Sequence, residues 1–323
     1  MPVMTNEYNE RAKGGTELSI AELTERIPSS LLDKFAIVPS RFRGLPGGLI
    51  PIYWVHDTED DPEMEHLANG GWKKFAKIIF VSHWQKQRFI KKFGIPWSKC
   101  VVVQNAVPVK FEDVNLDLDW SGDTPYRFIY HTTPHRGLDV LYDAFNMIAG
   151  DRNVHLDVYS SFSIYGWEGR DAAYQSLFDS IRANPKCTYH GAKSNEEVRE
   201  ALKKTHFFVY PSTWQETGCR SLMEAMCNGV MCAHTDYGCL AETGAGCSYV
   251  YPFDENRDAL VKTTAAVMHN MIETPSLYTP ESNAAVRASV ATEALRRYSW
   301  DSRVSLWVQT LQGVLNENEG KTW

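Results

Sequence analysis

Two acidic residues, Glu216 and Glu224, are the strongest candidates for chemistry in this chain. Seven residues separate them, in a stretch whose pattern predicts a turn followed by a helix. Carboxylates are good acceptors for the hydroxyls of sugars and of ribose. At about 1.5 Å per residue, a helix from Thr217 would separate the two by roughly 10 to 12 Å along its axis. One carboxylate could therefore meet each end of an elongated polar ligand.

The elements around these carboxylates predict a strand, a turn, a helix and a second strand. Phe207–Tyr210 is a short apolar run followed by a proline, which is typical of a buried strand in a parallel sheet. The helix from Thr217 is predicted to end at Asn228 and Gly229, and 230–233 to form the next strand. Such a unit binds ligands beyond the carboxyl end of its first strand, where the helix N-terminus favours a phosphate or diphosphate. A ligand with hydroxyls at both ends and a diphosphate between them is a nucleotide sugar.

The paired glutamates and their neighbours resemble the E-x7-E element of the retaining glycosyltransferases of the GT-B fold, in the family 4 group. The spacing alone would be weak evidence, because amphipathic helices supply many such pairs; the alternative is a helix cap and a solvated face residue. Three flanking features strengthen the resemblance: Tyr210–Ser212, the Glu-Ala-Met at 224–226 and the later Asp236–Glu242. It extends over nearly the whole chain.

The resemblance implies a role for each matched residue. Glu216 would hold sugar hydroxyls and Glu224 the ribose, while Arg136 and the amides of Gly218 and Cys219 would stabilise the departing diphosphate. The wider nucleotide-binding set that it implies also includes Arg220, Gly191, Thr133, Gly14 and Gly15.

The basic residue of this set has an unusual neighbourhood. A guanidinium at Arg136 can bind phosphate oxygens, each charge-assisted bond contributing about 1.5 to 3 kcal/mol. The family often has a second basic residue a few positions earlier, where this chain has Thr132 and Thr133. The leaving-group charge would then depend more on Arg136 and the helix N-terminus, so a reduced or unusual activity is an open alternative.

The N-terminal half predicts alternating strands and helices. Gly14 and Gly15 open a helix capped at or near Thr16, and they resemble the glycine-rich loop of the family; a plain helix-entry turn is the alternative. A short first strand is expected within residues 1–13. His56 ends a predicted strand and matches the family histidine that contacts the donor sugar, the alternative being a histidine bound only to backbone. The further predicted strands are 35–39, 49–55, 76–81 and one within 99–108 that precedes Asn105, with a helix capped by Ser82 that runs to about Phe93.

A basic segment crosses this half of the chain. Residues 73–99 contain eight Lys or Arg residues and no Asp or Glu. A solvated helix face explains the pattern simply, and an anionic membrane surface or anionic acceptor is the sharper alternative. The net charge of the whole chain, −7, argues against a general nucleic-acid-binding protein.

Composition limits the remaining possibilities. With 323 residues and 43% hydrophobic content, the chain suits two globular domains. It has no apolar run long enough to span a bilayer and no signal-peptide pattern, so a cytoplasmic location is expected, with a peripheral membrane contact open. Seven cysteines lack zinc-ligand spacing, and the D-x-D at Asp117 and Asp119 lies in a predicted linker. No metal ion or other cofactor is expected beyond the donor substrate.

We therefore predict an α/β protein of the GT-B fold, with two Rossmann-like domains facing across a cleft. Residues 1–118 would form the acceptor-side domain, 119–300 the nucleotide-sugar domain, and 301–323 a helix returning to the first domain. The expected reaction transfers a sugar, with retention, from a UDP-sugar or next a GDP-sugar to a hydroxyl of a glycan, lipid-linked glycan, protein or modified polynucleotide. The alternatives are a binding protein without turnover and a nucleotide-sugar epimerase.

Overall fold

The computed structural model describes residues 14–277 and 279–323, and the chain divides into two compact units. The first unit comprises the described residues up to Pro108 together with Tyr298–Trp323. The second comprises Val109–Arg297. The short first strand expected within residues 1–13 lies outside the described residues.

The described strands and α-helices alternate along most of the chain. The strands are β1 (Phe35–Pro39), β2 (Ile50–Val55), β3 (Lys77–Phe80), β4 (Cys100–Val102), β5 (Tyr126–Tyr130), β6 (Val154–Val158), β7 (Cys187–Tyr189), β8 (Phe207–Tyr210), β9 (Met231–Thr235) and β10 (Tyr249–Tyr251). The helices are α1 (Gly15–Arg26), α2 (Ser29–Leu32), α3 (His83–Phe93), α4 (Leu138–Ala149), α5 (Gln175–Ala183), α6 (Asn195–Leu202), α7 (Arg220–Cys227), α8 (Leu240–Gly244), α9 (Arg257–Glu273), α10 (Pro280–Tyr298) and α11 (Trp300–Glu317).

The first unit is built on a parallel sheet in the order β1-β2-β3-β4. Successive residues of β2 serve opposite faces. Ile52 and Trp54 belong to a core that also contains Trp307 of α11, whose ring lies 4.9 Å from that of Trp54. Tyr53 and Val55 belong to a second core on the other face. Burial on both faces explains why the strand is apolar throughout.

The second unit is built on a six-stranded parallel sheet in the order β10-β9-β8-β5-β6-β7. Helix α4 buries the stripe predicted from the sequence, which consists of Leu138, Leu141, Ala144, Phe145 and Ile148. Two parallel α/β units, with the last helix packed into the core of the first, confirm the predicted fold class.

Some boundaries differ from the predictions. Helix α1 begins at Gly15; of the residues at or near Thr16 that could cap it, Gly14 is the N-cap, with no side-chain cap. The strand predicted before Asn105 is observed at Cys100–Val102. The Ser82 cap is confirmed, since its hydroxyl accepts a hydrogen bond from the Gln85 amide at 3.1 Å.

Candidate active site

The order of strands in the second unit creates a crevice beside two central strands. β5 and β8 are neighbours, but the chain leaves β5 toward β6 on one side and leaves β8 toward β9 on the other. Parallel sheets bind ligands at such a point, outside the carboxyl ends of the strands. Two segments follow these ends, the first loop (residues 131–137) and the second loop (residues 211–219).

A glycine allows the two loops to touch. Gly137 has a φ of +103°, and a Cβ atom on it would lie 2.3 Å from the carbonyl oxygen of Pro211. No other residue fits this position without displacing backbone. The Thr213 hydroxyl also donates to the His135 carbonyl at 3.2 Å. Side chains of the two loops are therefore held close together.

Glu216 lies where the loops meet, and two donors hold one of its oxygens. Arg136 Nη1 lies 2.7 Å from Glu216 Oε1, and the Tyr210 hydroxyl donates to the same oxygen at 2.6 Å. The carboxylate side chain is 6% exposed and that of Arg136 22%. The Arg136 guanidinium also lies 5.8 Å from the ring of Trp214. Burial by itself lowers the pKa of Arg136, but the Glu216 carboxylate raises it well above its usual value.

The backbone of Glu216 is fixed by a distant segment. It forms an isolated parallel bridge with Gly238, and its carbonyl accepts a hydrogen bond from the Cys239 amide at 2.7 Å. Gly238 has a φ of +68°, and a Cβ atom there would lie 2.5 Å from the Glu216 nitrogen. The chain bends at Thr217 and Gly218 after this bridge, and helix α7 begins only at Arg220, with Cys219 as its N-cap.

This start corrects the predicted spacing of the two glutamates. The helix does not begin at Thr217, because Glu216 is bridged to Gly238 and the chain bends at Thr217 and Gly218 before the helix. Glu224 is therefore the fifth residue of α7. The separation of 10 to 12 Å, which assumed helix throughout, no longer applies. Glu224 is buried, and its Oε1 lies 3.7 Å from Arg220 Nη2. The helix N-terminus still lies between the two carboxylates in sequence.

The first loop contains four buried side-chain polar atoms without a hydrogen-bond partner among the described residues. They are His131 Nε2, Thr133 Oγ1, His135 Nδ1 and Arg136 Nε. Burial lowers the pKa of both histidines to about 4, with the Arg136 charge contributing at His135. Both are neutral at pH 7, so Arg136 is the cation of residues 131–137. Buried donors and acceptors of this kind favour a polar ligand, since leaving them unmatched costs about 1 to 3 kcal/mol each.

The other predicted site residues lie on separate elements. Gly191 follows β7 with a φ of +69°. In the first unit, His56 directly follows β2, and its ring lies 4.6 Å from that of Trp54. Gly14 and Gly15 form the start of α1, where the Gly14 carbonyl accepts a hydrogen bond from the Leu18 amide at 3.1 Å.

Several contributors were not singled out from the sequence. Tyr210, His131 and Trp214 all contact or flank the site, but nothing in their spacing identified them. Tyr210 is the last residue of a predicted strand, and the topology rule for strand ends could have marked it.

Features relevant to metals and membranes are limited in the described part of the chain. Among residues 14–277 and 279–323, no group of three His, Cys, Asp or Glu side chains is arranged to hold a metal ion. Asp119 of the D-x-D accepts hydrogen bonds from the hydroxyls of Ser121 and Thr124, which lower its pKa and indicate a turn. No helix in these ranges is both long and apolar enough to cross a membrane.

The basic segment has acidic partners outside itself. Lys77 pairs with Glu317 at 2.8 Å, Arg88 with Glu59, and Lys92 with Asp60 at 3.2 Å. These contacts place three of its cations in the packing of the first unit.

The segment that forms the crevice matches a known protein family. Residues 124–279 match the family model described as glycosyl transferases group 1. The segment is therefore similar to a group 1 glycosyltransferase domain. Both loops, Glu216, Glu224 and Arg136 lie within the matched residues, whereas His56 and the glycine pair lie outside them. No curated protein matches the chain in sequence.

Solved structures extend the likeness to most of the chain. A glycosyltransferase from Rickettsia africae ESF-5 is 13% identical, with a TM-score of 0.66, 99% of this chain and 85% of that chain being covered. HepE from Anabaena, solved with UDP-glucose, is 14% identical with a TM-score of 0.62, covering 82% and 72%. A sucrose-phosphate synthase from Thermosynechococcus elongatus is 12% identical with a TM-score of 0.64, covering 88% and 74%. The fold is that of GT-B glycosyltransferases.

Proposed function

We propose that this protein transfers a sugar from a nucleoside diphosphate sugar to a hydroxyl acceptor, with retention of anomeric configuration. The observation that carries the proposal is the buried Arg136 and Glu216 pair at the carboxyl ends of β5 and β8, in the segment that matches the group 1 family. This pair puts a cation for phosphate beside a carboxylate for sugar hydroxyls. A UDP-sugar is proposed ahead of a GDP-sugar, supported by the UDP-glucose in the Anabaena neighbour.

Each part of the donor has a proposed partner. Arg136 and the amides of Gly218 and Cys219 at the start of α7 bind the diphosphate, where the helix N-terminus adds partial positive charge. Glu216 accepts from sugar hydroxyls, and Glu224 accepts from the ribose. The further donor contacts that we propose are Thr133, Arg220, Gly191, Gly14 and Gly15, with His56 positioning the sugar.

The proposed chemistry relies on stabilising the leaving group. The bond between the anomeric carbon and the phosphate oxygen breaks, and negative charge grows on the diphosphate beside Arg136. Interactions that strengthen as this charge develops raise the rate rather than only the affinity. The acceptor oxygen bonds to the face that the leaving group vacates, and its proton passes to the departing phosphate oxygen. No protein nucleophile is assigned.

The proposal also covers the charge balance and the location. Because Arg136 and the α7 N-terminus supply positive charge, we propose that the donor binds without a metal ion, so activity should persist in a chelator. We propose a cytoplasmic protein that contacts an anionic acceptor or membrane surface through residues 73–99. Binding to anionic vesicles that weakens steeply with salt would support this contact.

A second candidate function is nucleotide-sugar binding without turnover. The observation in its favour is that His131 and His135 are neutral, so the first loop provides a single cation, already paired with Glu216. A chain of this kind would bind the donor but release no nucleotide.

The test of the proposed function is a thermal-shift screen with UDP, GDP, ADP and their common sugar conjugates. A ligand that binds only the folded state raises its stability by about 2.7 kcal/mol at one hundred times its Kd. We expect one preferred nucleotide, with additional stabilisation when its sugar is attached. Glu224→Ala should weaken the stabilisation by both the nucleotide and its sugar conjugate. No stabilisation by any of these compounds would contradict the proposal.

A further inference from the structure

Tyr210 ends β8 with its hydroxyl directed at the proposed sugar-binding carboxylate. The residue has no exposed surface, and its ring stacks with that of Phe208 at 5.5 Å. Its backbone position is fixed by parallel pairing with His234 of β9. The hydroxyl donates to Glu216 Oε1 at 2.6 Å. A rigid central strand therefore holds the Tyr210 hydroxyl in place.

The other donor to this oxygen is less constrained and has a competing task. Arg136 reaches Glu216 from the first loop through a long side chain that is 22% exposed. Under the proposed function, its guanidinium must also bind the diphosphate. A nucleotide sugar bound in the site would draw the Arg136 guanidinium away from the carboxylate. The neutral Tyr210 hydroxyl is not attracted by the diphosphate in the same way and would keep its hydrogen bond to Glu216.

We propose that Tyr210 is a positioning residue that fixes Glu216 through Oε1, so that the other oxygen, Oε2, is presented to a sugar hydroxyl. This inference rests on the proposed function. Both described contacts of the carboxylate fall on Oε1, and Oε2 takes part in neither. Tyr210 thereby keeps a buried oxygen satisfied while Arg136 engages phosphate, which avoids the cost of an unmatched buried group.

Tyr210 can serve this purpose at any ordinary pH. Burial first, and then the negative charge of Glu216, raise the pKa of its hydroxyl well above 10. The Tyr210 hydroxyl therefore stays protonated and donates its hydrogen bond to the Glu216 carboxylate.

The test compares Tyr210→Phe with wild type by calorimetric titration of UDP and UDP-glucose into the full chain. We expect the Kd of UDP to change by less than about twofold, because the Tyr210 hydroxyl donates to Glu216 Oε1 and not to a group assigned to the diphosphate. The gain in affinity from the glucose should fall about five- to tenfold, as for the loss of one hydrogen bond of about 1 to 1.4 kcal/mol. In the nucleotide-release assay, the KM for UDP-glucose should rise by about the same factor, whereas inhibition by UDP should stay unchanged.

A matched control is Tyr251→Phe. Tyr251 is also a buried tyrosine at the end of a strand in this sheet, and its hydroxyl contacts Thr264 Oγ1 at 3.3 Å, not Glu216. This variant should keep the wild-type difference between UDP and UDP-glucose. Retention of that difference in Tyr210→Phe would overturn the proposed positioning role.

A wild-type protein that gains no affinity from glucose, or from the other sugar conjugates, would instead count against the proposed function. The positioning role is then decided by a crystal structure of Tyr210→Phe. We expect the Glu216 carboxylate to rotate or to occupy more than one orientation in that variant. A single wild-type orientation would overturn the inference.

Discussion

The buried pair of Arg136 and Glu216 makes a quantitative prediction about stability. Arg136→Met keeps the length of the side chain but leaves a carboxylate that is 6% exposed without its cation. Breaking a buried pair typically costs 3 to 5 kcal/mol. Tyr210 still donates to the carboxylate, so we expect the lower end, about 3 kcal/mol. Urea unfolding at pH 7.5 measures this loss.

The double variant separates stability from function. With Glu216→Gln added to Arg136→Met, no uncompensated buried charge remains, because a glutamine oxygen can still accept from Tyr210. We expect the double variant to recover about 2 kcal/mol relative to the single variant. Nucleotide affinity should stay lost in both, because the phosphate-binding cation is absent from each. Arg257→Met is the matched control for losing an ion-paired arginine.

Arg257 pairs with Asp139 and Asp143 in the same unit, but its side chain is 47% exposed. Its loss should cost less than about 1 kcal/mol, as surface pairs usually do. A stability of Arg136→Met within about 1 kcal/mol of wild type, or no recovery on adding Glu216→Gln, would contradict the predicted cost of the unpaired carboxylate.

Three further predictions concern the loops and α7. Gly137→Ala should destabilise the protein by about 2 kcal/mol or more and weaken nucleotide binding, because its Cβ atom would displace the Pro211 carbonyl. Urea unfolding measures the first effect and calorimetry the second. Wild-type values for both would contradict the close packing of the two loops. Burial lowers the pKa of His131 from 6.5 to about 4, so the unfolded chain gains a proton at this histidine between these values that the folded protein does not. The contribution of His131 to stability, about 3 kcal/mol, should be lost as the pH drops through this window. Unfolding at pH 7.5 and 4.5 should show a smaller loss in His131→Gln; an equal loss would exclude this origin. Glu224→Ala should weaken UDP and UDP-glucose by the same factor of about ten, since the ribose is common to both, and a loss confined to UDP-glucose would remove the ribose role.

The sequence predicted the local parts of this structure well. The buried stripe of α4 was visible as a helical period from Leu138 to Ile148, and the strand before the candidate site was predicted at its observed bounds, Phe207–Tyr210. Both depend on apolar periodicity and on adjacent Gly and Pro, which are local signals.

The parts that were missed depend on contacts between distant residues. The start of α7 shifted because Glu216 pairs with Gly238, and no local pattern reveals that bridge. The Arg136 and Glu216 pair joins residues that are 80 apart in sequence. Their individual matches to a family were recognisable, but their mutual contact was not. The contact of Tyr210 was missed for the same reason, because its hydroxyl reaches Glu216 only when the loop after the strand folds back over it.

The most direct test of the central claim is nucleotide release from the donor that the stability screen selects, with wild type and Glu216→Gln compared at equal folded concentration. We expect wild type to release nucleotide at least about a hundredfold faster than the variant, equivalent to about 2.7 kcal/mol of transition-state stabilisation. Added hydroxyl acceptors should increase the wild-type rate. Wild-type release no faster than that of Glu216→Gln, for any donor that binds, would contradict the transferase assignment and favour a binding protein.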